Sequence, residues 1–373
     1  MAIVIVTGSL TPYTSRAYDA FAERCREELH VYTCARIEPH RAWEIPPPRH
    51  FQHTLLPGLR WHRDYTSHLY ANPGVLPRLM RLKPELIAVA AFSPTMALAT
   101  AYARSTGTPY GIATDGTLDT DPGASSAPHR IMRRSMVPPA RFGICASPAS
   151  VALLERWGLQ PGRGVVVPIV PSWEAPDRIP AFHERPFDVI IAGGLNDQFK
   201  GVLFFAEVMA DLARSGRRLR IRVTGRGPDG VAMHERLIAA GHDVQMDGAL
   251  QPGAMAEALG SAKVLMFPSR QDAWGLVANE AVLCGTPVIG SPHAASSEHF
   301  VARFGVGLVR PLVVADWREA FLAMTASEAA WAPFMTKRRE ALVACNLDAA
   351  VSGLQRAFDL GRGSARPQVR PAA

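Results

Sequence analysis

The stretch Pro268 to Gly290, PSRQDAWGLVANEAVLCGTPVIG, decides how the chain is read. An apolar run, Val264 to Phe267, leads into it and predicts a buried strand. Ser269 to Trp274 then predicts a loop and Gly275 to Leu283 a short helix, which Gly285 and Pro287 end before a second strand, Val288 to Gly290. Asp272 falls in the loop, and Glu280 about one turn into the helix. Between them the free first-turn amides of Gly275, Leu276 and Val277, at the positive end of the helix dipole, suit an anion such as a phosphate. Acids on either side of an anion site fit sugar hydroxyls, because one carboxylate can accept two of them.

The same residues carry a resemblance. P-S-R-x-D-x-W-G-L-V-x-N-E-A-x-x-C-G-T-P-V-I is similar to the signature of the retaining GT-B glycosyltransferases of glycosyltransferase family 4 (glycosyl transferases group 1). Relatives usually have Glu where this chain has Asp272. The resemblance implies that Asp272, with Trp274 beside it, holds the donor sugar, that the amides meet the donor phosphates, and that Glu280 holds the ribose. It implies the GT-B fold: two doubly wound, Rossmann-like α/β domains facing a central cleft. The reaction it implies is metal-independent transfer of a sugar, with retention, from a nucleotide diphosphate sugar to a hydroxyl acceptor.

Upstream, DVIIAGGLNDQFKG resembles the family's strand, G-R-L loop and K-G. Lys200 matches the lysine that grips the diphosphate, whereas Gly194 stands in place of the arginine, with Arg226 or Arg270 available to compensate. A charge-assisted hydrogen bond to phosphate is worth roughly 1.5 to 3 kcal/mol, so the departure matters. Gly225, Gly227 and Gly230 also spell G-x-G-x-x-G, with Asp243 and Asp247 downstream. Pro228 interrupts that dinucleotide pattern, and a tight turn facing the nucleotide is the reading adopted.

The N-terminal half opens with strand, glycine loop, helix and strand over Ile3 to Thr33, the start of a doubly wound sheet. Gly8 in the loop and Arg16 just inside the helix are acceptor-side candidates; an exposed arginine is an equal reading of Arg16. From Pro39 to Pro77 periodicity is lost while Arg49, His50, His53, Arg60, Trp61, His62, Arg63, Tyr65, His68 and Tyr70 mix bases with rings. That mixture suits anionic lipid, an acceptor-sugar cleft or a solvated insertion equally. At the end of the strand Gly107 to Asp115, where relatives carry a histidine, this chain has Thr114 and Asp115. Asp115 is the candidate for the catalytic contact on this side, beside a plain turn role. Asp119, Thr120 and Asp121 form a D-x-D, the pattern of metal-dependent GT-A enzymes, but no metal site is expected. His129, Arg130, Arg133, Arg134 and Arg141 form an acid-free basic run, mostly helical, which suits an acceptor phosphate or a solvated face.

These elements divide the 373 residues into an acceptor-binding domain (1–170), a proline-rich linker (171–186), a nucleotide-sugar-binding domain (187–345), a helix crossing back to the first domain (346–362) and a disordered tail (363–373). The net charge of +7 favours anionic partners, and residues 1–180 hold most of it, 19 Arg or Lys against 14 Asp or Glu. Five scattered cysteines argue for a reducing compartment and against zinc. Ser93 and Pro94 split the longest apolar reach, Leu86 to Ala103, so no membrane span is expected. The expected setting is cytoplasmic, with a peripheral hold on the inner face of the membrane as an option. The expected partners are a nucleotide sugar as co-substrate, with no separate cofactor, and a saccharide or lipid-linked acceptor; nucleic acid is not expected. By resemblance the setting is bacterial cell-surface polysaccharide synthesis. Two rivals stand beside it: a catalytically silent GT-B protein that binds nucleotide or glycan, and a glycosidase using Asp272 and Glu280 as its carboxylate pair.

Overall fold

The computed structural model describes residues 2–38, 44–62 and 68–363. The chain divides into two units, Met1–Val170 with Asn346–Ala373, and Pro171–Cys345. In the first unit the strands are β1 (Ala2–Thr7), β2 (Glu28–Thr33), β3 (Gln52–Leu55), β4 (Leu59–His62), β5 (His68–Ala71), β6 (Leu86–Ala90), β7 (Tyr110–Thr114), β8 (Phe142–Cys145) and β9 (Gly164–Val166). Seven of them form a parallel sheet in the order β3-β2-β1-β6-β7-β8-β9, and β4 pairs antiparallel with β5 as a separate hairpin. Residues on both faces of β1 are buried, which is why AIVIVT lacks the alternation of a half-exposed strand. Helix Leu347–Arg362 packs on this unit. Its Phe358 ring lies 5.2 Å from Phe21 and 5.7 Å from Phe142. Its Arg362 bridges Glu27 at 2.8 Å and Glu85 at 3.2 Å.

The second unit holds β10 (Val189–Ala192), β11 (Arg220–Thr224), β12 (Asp243–Gly248), β13 (Leu265–Phe267), β14 (Val288–Gly290) and β15 (Gly307–Val309), all parallel in the order β12-β11-β10-β13-β14-β15. In both sheets the strand order reverses beside the first strand, between β1 and β6 and between β10 and β13. Such switch points open a crevice at the carboxyl ends of the strands, where ligands of doubly wound sheets bind.

Several expectations need correction. The helix of the opening motif is Val277–Leu283, seven residues, so its dipole is weaker than a longer helix would supply. Within 39–77, where the sequence shows no periodicity, the described residues hold regular elements: β3 joins the main sheet as an exposed edge strand, and β4–β5 follows. Short edge strands carry little hydrophobic rhythm, which is why they escaped the pattern. Residues 39–43, with Arg63 and Tyr65, lie outside the described residues, as does the tail from 364. The stretch 171–186 packs into the second unit. Its Arg185, 3% exposed, donates to the carbonyls of Ala262 at 2.7 Å and Gly285 at 2.8 Å and to the Thr286 hydroxyl at 2.7 Å. A buried guanidinium tied to three groups of one domain makes its segment part of that domain. Among the described residues no helix is long and apolar enough to cross a membrane.

Candidate functional site

The second unit's switch point is flanked by the loops after β10 and β13, and their backbones are tied together. The Phe199 carbonyl accepts the amides of Arg270 at 2.8 Å and Gln271 at 3.2 Å. Gly201 has φ 62°, and a Cβ there would stand 2.1 Å from the Pro268 carbonyl oxygen, so only glycine lets the two loops close. The closure brings Lys200 to Asp272: Lys200 Nζ donates to Asp272 Oδ2. Lys200 and Gly194 also line one small pocket with Leu195, Phe267 and Ser269.

On the far side of the motif loop, Asp272 is fixed by its amide, which donates to the His293 carbonyl at 3.0 Å. Trp274, 5% exposed, turns inward and donates its indole N–H to Asn279 Oδ1 at 3.0 Å. Gly275 has φ 87°, and a Cβ there would lie 2.4 Å from the Phe267 ring. Among the described residues the amides of Gly275, Leu276 and Val277 have no backbone acceptor, so three N–H groups remain for an anion. Glu280 follows, half-buried, its side-chain carboxyl without a hydrogen-bonding partner among the described residues. Burial pushes its carboxyl up to about 8.

The third side is the turn after β11. The Leu195 amide donates to the Arg226 carbonyl at 2.9 Å, and the Asp229 amide to the Leu195 carbonyl at 3.0 Å. A Cβ on Gly225 would lie 1.7 Å from the Gly193 carbonyl oxygen, and one on Gly227 2.3 Å from that of Leu195. Gly225 and Gly227, the first two glycines of G-x-G-x-x-G, are therefore required by loop-to-loop packing. Asp247, downstream of them, is held by Arg222 at 2.6 Å and 11% exposed, which removes it as a ribose contact. Of the two cations available to replace the missing arginine, Arg270 faces Asp197 at 3.4 Å, whereas Arg226 is exposed and has no ion-pair partner among the described residues.

The first unit's candidates separate. Gly8 follows β1, with the Tyr70 ring packed over it: a Cβ at Gly8 would be 2.9 Å from the ring. Asp115 is exposed just beyond β7, and Arg16 is half-buried in helix Pro12–Cys25. The basic run does not act as one face. Arg133 is buried and bridges Asp121 at 2.5 Å, while Arg130 donates to the carbonyls of Gly123 at 3.4 Å and Ala124 at 3.3 Å. Asp121, the second acid of the D-x-D, also accepts the Trp157 indole N–H at 2.8 Å, so it is a buried structural anion. Among the described residues no group of three His, Cys, Asp or Glu side chains is arranged to hold a metal ion.

Four buried side-chain atoms close to the motif and the β10 loop lack hydrogen-bond partners: Asn196 Oδ1, Ser269 Oγ, Asn279 Nδ2 and Ser297 Oγ. None was singled out from sequence, because a small polar residue in a motif looks the same whether its side chain is bonded or not. In the first unit Ala91, after β6 at the switch point, has φ 87°, a strained conformation for a residue with a side chain.

Residues 186–326 match the family model described as glycosyl transferases group 1. D-inositol 3-phosphate glycosyltransferase of Segniliparus rotundus is 28% identical over 109 residues, which are 28% of this chain and 24% of that protein. The matched region thus spans about a quarter of the curated relative's length. Among solved structures, sucrose-phosphate synthase from Thermosynechococcus elongatus aligns with a TM-score of 0.75 at 17% identity, over 98% of this chain and 100% of its own. Anabaena HepE, solved with UDP, aligns with a TM-score of 0.71 at 14% identity, over 96% and 100%. WaaG, a glycosyltransferase involved in lipopolysaccharide biosynthesis, gives 0.66 at 16%, over 97% and 100%. These likenesses establish the fold as GT-B, two Rossmann-like α/β domains.

Proposed function

We propose that this chain, with a second unit that matches the glycosyl transferases group 1 and two GT-B units, is a glycosyltransferase using a nucleotide diphosphate sugar. The observation that supports the reading is the Lys200–Asp272 pair beside the switch point, with the amides of Gly275, Leu276 and Val277 and the Glu280 side chain on the segment that follows Asp272. Lys200 and the amides of Gly275, Leu276 and Val277 take the diphosphate, with Arg226 as the second cation in place of an arginine at Gly194. Asp272 holds hydroxyls of the donor sugar, and its pairing with Lys200 sets both side chains before the donor arrives. Glu280 takes the ribose. Its raised carboxyl and lack of a partner suit a group that gains hydrogen bonds only when ligand binds.

In the reaction the bond between the sugar's anomeric carbon and the diphosphate oxygen breaks, and the electron pair leaves with the diphosphate. The acceptor oxygen bonds to that carbon from the same face and passes its proton to the departing phosphate, so the configuration is retained. In the first unit, Asp115 is assigned the catalytic side of the acceptor site and Gly8, Arg16 and Arg130 the binding of the acceptor. The acceptor is a saccharide or lipid-linked hydroxyl, in cell-surface glycan synthesis. That HepE was solved with UDP and with UDP-glucose supports testing uridine nucleotides first.

Thermal unfolding with excess UDP, GDP or ADP, on wild type and Glu280→Ala, tests the donor site. A ligand at about a hundred times its dissociation constant adds roughly 2.7 kcal/mol, an easily read shift. One nucleotide is expected to raise the midpoint of the wild type and to do so far less in the variant. Equal shifts in both would remove Glu280 from the site, and no shift with any nucleotide would end the donor reading. Anomeric NMR of the glycoside product then decides retention.

A further inference from the structure

The motif helix, Val277–Leu283, has seven residues, and a helix this short is marginal unless its ends are held. Its last carbonyls have no partner within the helix. Gly285, at φ 76°, turns the chain so that its amide reaches the Val282 carbonyl at 3.0 Å and the Thr286 amide reaches the Ala281 carbonyl at 2.8 Å. The Leu283 carbonyl has no such donor, because the residue four positions on is Pro287, which carries no N–H.

A side chain from far along the chain supplies the donor. Arg338, the first residue of helix Arg338–Ala344, donates from Nε to the Val282 carbonyl at 2.8 Å and from Nη2 to the Leu283 carbonyl at 2.5 Å. One guanidinium fork thus spans two successive carbonyls at the negative end of the helix dipole. Arg185 takes the Gly285 carbonyl at 2.8 Å. The segment before Arg338 is itself anchored: Trp331, on helix Glu328–Thr336, has its ring centroid 4.9 Å from Arg185 Cζ and donates its indole N–H to the Lys263 carbonyl at 2.7 Å, just ahead of β13. Glu280 belongs to the clamped turn, since its carbonyl accepts the Cys284 amide at 3.1 Å. Fraying of that turn would carry the Glu280 carboxyl with it.

We infer that Arg338 is a positioning residue for nucleotide binding: by clamping the last turn of the motif helix it fixes the Glu280 carboxyl where the ribose is taken. The inference rests on the proposed donor reading for the identity of the ligand. Arg338 lies beyond residues 186–326, so this support comes from outside the span that matches the family model. The two arginines differ in what they hold. Arg185 is 3% exposed and joins three parts of the second unit, so its loss would disturb the whole domain. Arg338 is half-buried, and its side-chain hydrogen bonds among the described residues go to the motif helix, so its effect on the site is separable from folding.

Titration calorimetry of the full chain, run well below its melting temperature with whichever of UDP, GDP and ADP the wild type binds, tests the inference. Arg338→Met, which keeps the length and loses the donors, is expected to bind that nucleotide about tenfold more weakly. The free nucleoside should lose affinity by a similar factor, because the ribose contact is what moves. Arg338→Lys, which can still reach one carbonyl, is expected to recover most of the affinity, and Arg339→Met, at an exposed neighbour of equal charge, to bind like the wild type. In a Glu280→Ala background, Arg338→Met should change affinity by less than about twofold. Wild-type affinity in Arg338→Met, even with a lowered melting temperature, or an undiminished loss in the Glu280→Ala background, would overturn the inference. Amide hydrogen exchange over residues 276–284 reads the clamp without ligand: faster exchange in Arg338→Met is expected, and unchanged exchange would overturn it. If the wild type binds none of the three nucleotides, the donor reading fails while hydrogen exchange still decides the clamp, so the two failures are told apart.

Discussion

Lys200 and Asp272 constrain each other. Removing Lys200 leaves Asp272, a partly buried carboxylate, without its ion-pair partner and, on the proposed donor reading, deletes the cation assigned to the diphosphate. Lys200→Ala is therefore expected to weaken nucleoside diphosphate binding about 10- to 100-fold while leaving the free nucleoside almost unaffected, as titration calorimetry with both ligands will read. Glu280 provides a pH signature. Its folded-state value, about 8, lies above the ordinary carboxyl range, so the folded protein holds a proton there that the unfolded chain releases. Stability from this group is full at pH below the ordinary range and declines as pH rises toward 8. The melting temperature of wild type should fall over that window more than that of Glu280→Gln. If Glu280 takes the ribose as proposed, nucleotide affinity should rise over the same window in the wild type more than in the variant, because an ionised carboxylate can accept both ribose hydroxyls. Motif spacing could position both acids, but not the burial that raises one of them.

The elements position these residues through contacts between loops. Gly201 must be glycine because the motif loop lies against it, and Gly201→Ala is expected to cost about 1 to 3 kcal/mol, measured by denaturant unfolding, and to reduce nucleotide affinity by displacing Lys200. Helix Ala127–Met136 gives the opposite lesson. Its arginines look alike in sequence, yet Arg133 is 5% exposed and paired with Asp121 while Arg134 is exposed. Arg133→Ala should destabilise the protein by about 3 to 5 kcal/mol because Asp121 would stay buried without its cation; Arg134→Ala should be nearly neutral in the same unfolding experiment. Periodicity identified the helix, but which arginine faces inward depends on Phe92, Asp121 and Trp157, all distant in sequence.

For the molecule as a whole, the first unit is assembled from both ends of the chain. Helix Leu347–Arg362 covers one face of the first sheet with Val351, Leu354 and Phe358 and clamps Glu27 and Glu85 with Arg362. Phe358→Ala is expected to lose about 3 to 5 kcal/mol in thermal or denaturant unfolding, with the loss confined to the first unit's transition if the two units melt separately. From the sequence alone came the alternation of strands and helices, the division into two α/β units, and the motif from Pro268 to Gly290 with its acids eight residues apart. These follow from short-range rules: side-chain periodicity, glycine and proline punctuation, and the spacing of a local turn. Only the tertiary structure decided that Lys200 meets Asp272, that Asp121 is a structural anion, that Arg185 belongs to the second unit and that Trp61 faces outward. Those outcomes depend on the environment of each charge or ring, and that environment is built from segments far apart in the chain.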